Sequence, residues 1–194
     1  MFRHQALVYP IQLSGKDQCD STGRDVMTVL KLVIFSAQVP ATRRHAIILN
    51  TCAFPIYAWS VSSSVGPQIT IPAAVPSTSR NTTYSNYTEP YHHDPQTGGV
   101  SIKLTTLRNG LYTGAPQTIF AYNFEEGQNQ VWFDLSDVFG DPFKGRRVSV
   151  QVRGPLGDGG GWEESIVWED GVPGAGSQVR VVSAERDLVV RLCS

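Results

Sequence analysis

The sequence predicts an all-β domain, and three observations carry that expectation. Apolar and polar residues alternate with a period of two through most of the chain after Ala46. The 194 residues include 18 Gly and 12 Pro, while only 17% are charged, a balance suited to short strands joined by tight loops. No window of useful length carries the i, i+3, i+4, i+7 stripe of an amphipathic helix.

Element by element, Ile47 and Leu49 alternate with Ile48 and Asn50, and Tyr57, Trp59 and Val61 alternate with Ile56, Ala58 and Ser60. Val100, Ile102 and Leu104 alternate with Ser101, Lys103 and Thr105, which predicts a half-buried strand with one wet face. Asn109-Gly110 follows, the dipeptide that suits a two-residue hairpin turn because both central residues there need positive φ. Thr118 to Tyr122 and Gln130 to Leu135 are further strands, as is Val148-Val150-Val152. Val179, Val181, Leu188, Val190 and Leu192 close the chain on the same beat. Pro72 to Gly99 and Gly154 to Gly161 are expected as long loops, the first polar and Tyr-rich, the second Gly-rich. Strands this short and this closely spaced indicate a sandwich or barrel.

Residues 1–44 have a different character. Turn formers and isolated charges mix without a period, and the apolar run Met27 to Ala37 carries Lys31 and is too short to span a bilayer. It is also a poor secretory signal, placed far from Met1. The expected division is a tail over 1–44, disordered, mis-assigned or a degraded signal segment, and a folded domain over 45–194.

With 16 Lys+Arg against 17 Asp+Glu the net charge is -1, which offers no basic stripe for nucleic acid. The hydrophobic fraction of 41% is sufficient for a real core. No nucleophile elbow, zinc-protease helix, Walker loop or dinucleotide fingerprint occurs. His92-His93-Asp94 has metal-ligand chemistry but lacks evident third and fourth ligands, so no metal and no cofactor are expected. Asn81-Thr-Thr and Asn86-Tyr-Thr are glycosylation sequons within one polar loop. Tyr84, Tyr87 and Tyr91, with Trp162 and Trp168 in or beside the second loop, could stack on sugar rings, whereas Tyr57, Trp59, Trp132 and Phe133 are expected in the core. Three cysteines, Cys19, Cys52 and Cys193, form no C-x-x-C pair; if the last two join, Cys19 is left over.

The stretch Ala46-Ile-Ile-Leu-Asn-Thr-Cys-Ala-Phe-Pro-Ile-Tyr-Ala-Trp-Ser resembles the opening of thaumatin-like domains. More specific are Asp94-Pro-Gln-Thr-Gly-Gly-Val-Ser-Ile-Lys, Thr118-Ile-Phe-Ala-Tyr-Asn, Val131-Trp-Phe-Asp-Leu-Ser-Asp-Val-Phe-Gly-Asp-Pro-Phe and the close Gly174-Ala-Gly-Ser-Gln-Val through Leu192-Cys193. Over residues 46–193 the chain is similar to the fungal Blastomyces yeast-phase-specific family, also called antigenic thaumatin-like proteins. The resemblance implies a thaumatin-like β-sandwich of short antiparallel strands with long loops, secreted or held at the cell surface. It also implies a disulfide between Cys52 and Cys193, the alternative being two unrelated buried thiols. Family members carry further cysteines where this chain has Trp162 to Trp168, which leaves the conformation of 154–172 open.

Thaumatin-like proteins have an acidic cleft associated with β-glucan, for which Glu89, Asp94, Asp134, Asp137 and Asp141 are the candidates here. A glycosidase needs two of them facing across a groove, about 5–5.5 Å apart for retention or 6.5–9.5 Å for inversion. Asp137 and Asp141, among Ser, Gly and Pro, equally suit turns held by Asp side chains. Glu125-Glu126 and Glu163-Glu164 are adjacent and point to opposite faces when extended, so neither is an acid/base couple. The expected function is non-enzymatic surface recognition by a monomer, its partner a cell-wall polysaccharide or a host or neighbour surface protein. The alternatives are a weak β-glucan hydrolase and a structural surface antigen.

Overall fold

A computed structural model of the chain describes residues 44–76, 82–154, 161–176 and 178–194, all within the unit Pro40–Ser194. Cys19 and the tail before Arg44 lie outside the described residues. Two sheets face each other. One has the order β4-β1-β11-β8-β9, built from β1 (His45–Asn50), β4 (Ser85–Pro90), β8 (Val148–Arg153), β9 (Trp162–Trp168) and β11 (Asp187–Leu192). The other has the order β10-β7-β6-β5-β2-β3, from β2 (Ile56–Val61), β3 (Ile69–Ile71), β5 (Val100–Thr105), β6 (Gln117–Glu125), β7 (Gln130–Phe139) and β10 (Arg180–Ser183). This is the β-sandwich the alternation predicts. Ala46, Ile48, Val150, Val152, Leu188 and Val190 from the first sheet meet Ile102, Leu104, Phe120, Val131, Phe133 and Leu135 from the second, all buried.

β1 and β11 pair in parallel, Ala46 opposite Leu188 through Asn50 opposite Leu192, while the other pairings are antiparallel. The parallel pair brings the ends of the domain side by side. Cys52 follows β1, Cys193 follows β11, and a disulfide joins them across 141 residues. Asn50 sets that corner. Fully buried, its Nδ2 donates to the carbonyls of Phe54, Ile71 and Pro72, and its Oδ1 accepts from the Cys52 N–H at 2.9 Å. The Thr51 hydroxyl donates to the Leu192 carbonyl at 2.6 Å and completes the joint. At the opposite end the His45 N–H donates to Asp187 Oδ1 at 2.9 Å.

Three local expectations change. Pro72–Gly99 is not loop throughout, because it contains β4, which pairs antiparallel with β1. The strand escapes a hydrophobicity reading because its inward positions are Tyr87 and Glu89 rather than aliphatics. Asn109-Gly110 does not make a two-residue hairpin. Asn109 does adopt positive φ (58°), but Gly110 opens the single turn α1 (Gly110–Thr113), which sets Tyr112 edge-on to Trp59 with ring centroids 6.2 Å apart. Gly110 is required there, since a Cβ would lie 2.6 Å from Thr105 Oγ1. Finally, the Trp162–Trp168 segment is strand β9. With Ile166 and Trp168 buried, packing holds this stretch.

Candidate functional site

The six-stranded sheet has a second face, turned away from the sandwich core, and its residues follow from the register. Three rungs cross it. Trp59, Lys103, Ile119 and Ser136 form the first; Val61, Ser101, Ala121 and Asp134 the second; Asn123, Trp132 and Val181 the third. The middle rung is made mainly of small side chains between two bulky ones, so the face is hollowed along it. The result is an open groove of about 500 Å³, walled at one side by Thr97, Gly98 and Gly99.

The wall is held by Asp94. Its carboxylate accepts from the Ser63 hydroxyl (2.6 Å) and N–H (3.3 Å), the Gln96 N–H (2.9 Å), and the Thr97 N–H (2.8 Å) and hydroxyl (3.0 Å). These bonds, the Ser63 hydroxyl foremost, hold the Asp94 carboxyl well below the usual carboxylate range. Gly99 lets the loop press against β6, since a Cβ would stand 2.8 Å from the Tyr122 carbonyl oxygen.

Within the groove, burial raises the Asp134 carboxyl above its ordinary value, against the opposing Leu135 N–H and the field of Arg180. Asp134 Oδ1 and Asn123 Oδ1 are both shielded and accept no hydrogen bond, whereas Asn123 Nδ2 donates to Glu125 Oε1 at 3.0 Å. Trp132 stands at the rim, 43% exposed. At the other end burial lowers the Lys103 ammonium, whose Nζ lies 5.0 Å from the centre of the Phe139 ring.

Of the five acidic candidates only Asp134 lines the groove. Glu89 is buried between the sheets, accepting from the hydroxyls of Tyr87 and Tyr122, the latter at 2.8 Å. Asp94 is the turn-holder just described. Asp137 sits beside Asp141, and burial, followed by a hydrogen bond to that neighbour, raises its carboxyl. Among the described residues no second carboxylate lines the groove with Asp134. His92 Nδ1 lies 3.1 Å from the Tyr122 hydroxyl while Asp94 turns to Ser63, so His92, His93 and Asp94 do not converge.

The aromatic candidates separate. Tyr91 is a core residue, its ring 5.5 Å from Tyr122 and its hydroxyl donating to the Arg186 carbonyl; Trp168 is also core. Tyr87 is half-buried and bonded to Glu89. The inward beat of β4 continues through Tyr91, which explains both tyrosines. Tyr84 and Trp162 are exposed but lie at opposite ends of the five-stranded sheet. Tyr84 precedes the residue paired with Asn50, while Trp162 pairs with Arg153, itself opposite Asp187. Asn86 is exposed on β4, and Asn81 lies outside the described residues. Trp132, expected in the core, is instead the groove's rim. Adjacent strand residues face opposite ways, so Phe133 takes the core and Trp132 cannot.

The Blastomyces yeast-phase-specific protein family model matches residues 33–194, beginning inside the segment read as a tail. An antigenic thaumatin-like protein of Arthroderma benhamiae is 27% identical over 128 residues, 63% of this chain and 57% of that protein. The secreted thaumatin-like protein calA of Emericella nidulans is 24% identical over 91 residues, 47% of this chain and 44% of that protein. The chain thus spans about half the length of the curated relatives it matches. Among solved structures, the protein elicitor MoHrip2 from Magnaporthe oryzae superposes with a TM-score of 0.55 at 19% identity, covering 78% of this chain and 99% of that one. A match over this much of the sequence, on a sandwich closed by Cys52 and Cys193, shows that the chain belongs to the Blastomyces yeast-phase-specific protein family.

Proposed function

We propose that this is a secreted, surface-acting recognition protein that holds glycan in the outer groove of its six-stranded sheet and performs no chemistry on it. The observation that carries the reading is Trp132, a large aromatic standing exposed beside a floor of small residues and two polar side chains, Asn123 and Asp134, on rigid strands. An aromatic face with a few fixed polar groups is the usual composition of a site for a ring that is apolar on its faces and polar at its edge. A single acid among the described residues lining the groove suits binding, since hydrolysis calls for two.

Secretion is supported by the disulfide, by a relative named as secreted, and by the exposed sequon asparagine Asn86. No helix among the described residues is long and apolar enough to cross a membrane. A glycan on Asn86 would project from the five-stranded sheet, leaving the groove on the other sheet open. The names of one relative and of the structural neighbour, an antigenic protein and an elicitor, fit molecules met at a surface by another organism.

The test is retention of the full chain on insoluble β-glucan, chitin, chitosan and mannan. Retention on at least one, lost in Trp132→Ala, is the expected result. No retention on any of them would remove the glycan reading.

A further inference from the structure

The groove's hydrogen-bonding inventory is lopsided, and the imbalance points to a ligand class. Along its wall the donors of Thr97 and Gly98 are already used: the Thr97 N–H serves the Asp94 carboxylate, the Gly98 N–H serves the Asp94 carbonyl at 2.8 Å, and the one Thr97 hydroxyl proton lies between the Asp94 carboxylate (3.0 Å) and the Gly99 carbonyl (2.9 Å). On the floor, one N–H of the Asn123 amide is engaged by Glu125 at 3.0 Å. What is left at the Trp132 end is a pair of acceptors, Asn123 Oδ1 and Asp134 Oδ1, shielded from solvent and without donors. Unpaired buried acceptors are costly, and their presence calls for an explanation. Terminal torsions of Asp and Asn have broad minima, so modest rotation turns either oxygen toward the groove.

Resting on the groove as the recognition surface, we infer that its Trp132 end is a subsite for a primary ammonium group, the amine of a glucosamine-type sugar whose ring stacks on Trp132 while its nitrogen pairs with Asp134 and Asn123. An ammonium brings three donors and no lone pair, matching a site that offers acceptors. A hydroxyl brings one donor and no charge. Charge-assisted bonds to a partly desolvated carboxylate are about twice as strong as neutral ones. Trp132 adds its π-face, which attracts cations. Positions 132 and 134 share a face two residues apart, about 6.7 Å along the strand, a separation that one sugar ring spans. Arg180, the cation whose field reaches Asp134, donates to the Val179 carbonyl at 2.9 Å. Lys103 lies on a different rung, two strands from Asp134 and drawn over Phe139, and so gives the groove a cationic end opposite its acceptor end.

Titration calorimetry of the full chain at about pH 6, above the ordinary range of carboxylates and below that of amines, tests this with hexamers of glucosamine, N-acetylglucosamine and β-1,3-linked glucose. The glucosamine hexamer should bind at least about ten-fold more tightly than either neutral oligomer. Asp134→Asn should erase that preference, bringing the glucosamine hexamer down to the affinity of the neutral oligomers, with the melting temperature at or above that of wild type. Glu163→Gln, an exposed acid on the other sheet, should change nothing and so controls for diffuse charge attraction. Equal affinity for the three oligomers, or a preference that survives Asp134→Asn, overturns the inference while leaving glycan recognition standing. Absence of binding by all three overturns the inference, and together with no retention on mannan it removes the glycan reading as well.

Discussion

Asp94 and Asp134 are two carboxylates in one neighbourhood with opposite energetics. Asp94 is held below the usual carboxylate range by its hydrogen bonds, so its contribution to stability is fully present above the unfolded value of about 3.9. That contribution is lost as the pH falls through that value toward the lower folded one. The melting temperature of Asp94→Asn should therefore lie below wild type at neutral pH, and the gap should close as the pH drops below about 4. A gap independent of pH would contradict the account. Asp134 has the reverse sign. Its folded carboxyl is raised by burial, so its ionised form costs stability at neutral pH and the cost disappears on acidification. Asp134→Asn should melt at or above the wild-type temperature at pH 7, and a clear loss there would mean that Asp134 is structural. An acid that weakens the fold while facing a groove fits a binding residue better than a structural one.

Among the elements, the strands with one aliphatic beat were legible because burial of one face writes period two directly into the sequence. β5, β8 and β11 are of this kind. β4 was not, since an edge strand whose inward residues are Tyr87 and Glu89 has no aliphatic alternation to read. The groove was illegible for a further reason. Its floor is Val61, Ser101 and Ala121, small residues from three strands whose adjacency depends on register, which no single strand reveals. Of the groove's residues the sequence marks Asp134, through the resemblance to proteins with an acidic cleft, whereas Trp132 beside Phe133 reads as core until strand parity turns it outward. The topology also orders local stability. β1, β11 and β6 have neighbours on both sides, whereas β3 and β10 are edge strands. Native-state hydrogen exchange should find the amides of Ile48, Val190 and Phe120 opening only with global unfolding, and those of Ile69–Ile71 and Arg180–Ser183 opening earlier. The reverse order would contradict the sheet assignment.

For the whole molecule, the parallel pairing of β1 with β11 makes the two ends of the domain neighbours, and Asn50 and Thr51 shape the corner in which Cys52 meets Cys193. The bridge closes a loop of 141 residues. On the chain-entropy account its loss lowers the unfolding free energy by about 5 kcal/mol, roughly a third or more of the stability of an ordinary domain. Denaturant titration with and without reductant should show that scale of loss, and a change below about 1 kcal/mol would mean that the corner is held by hydrogen bonds alone. The remaining whole-molecule question is which surface meets the outside world. The exposed tryptophans offer a direct choice, since Trp132 rims the groove on one sheet and Trp162 lies at the end of the other with Arg153 over its ring at 5.5 Å. The most direct measurement is therefore retention on a bound wall glycan for Trp132→Ala and Trp162→Ala side by side: retention lost with the first and kept with the second is the result predicted, and retention kept with Trp132→Ala would contradict the groove as the recognition surface.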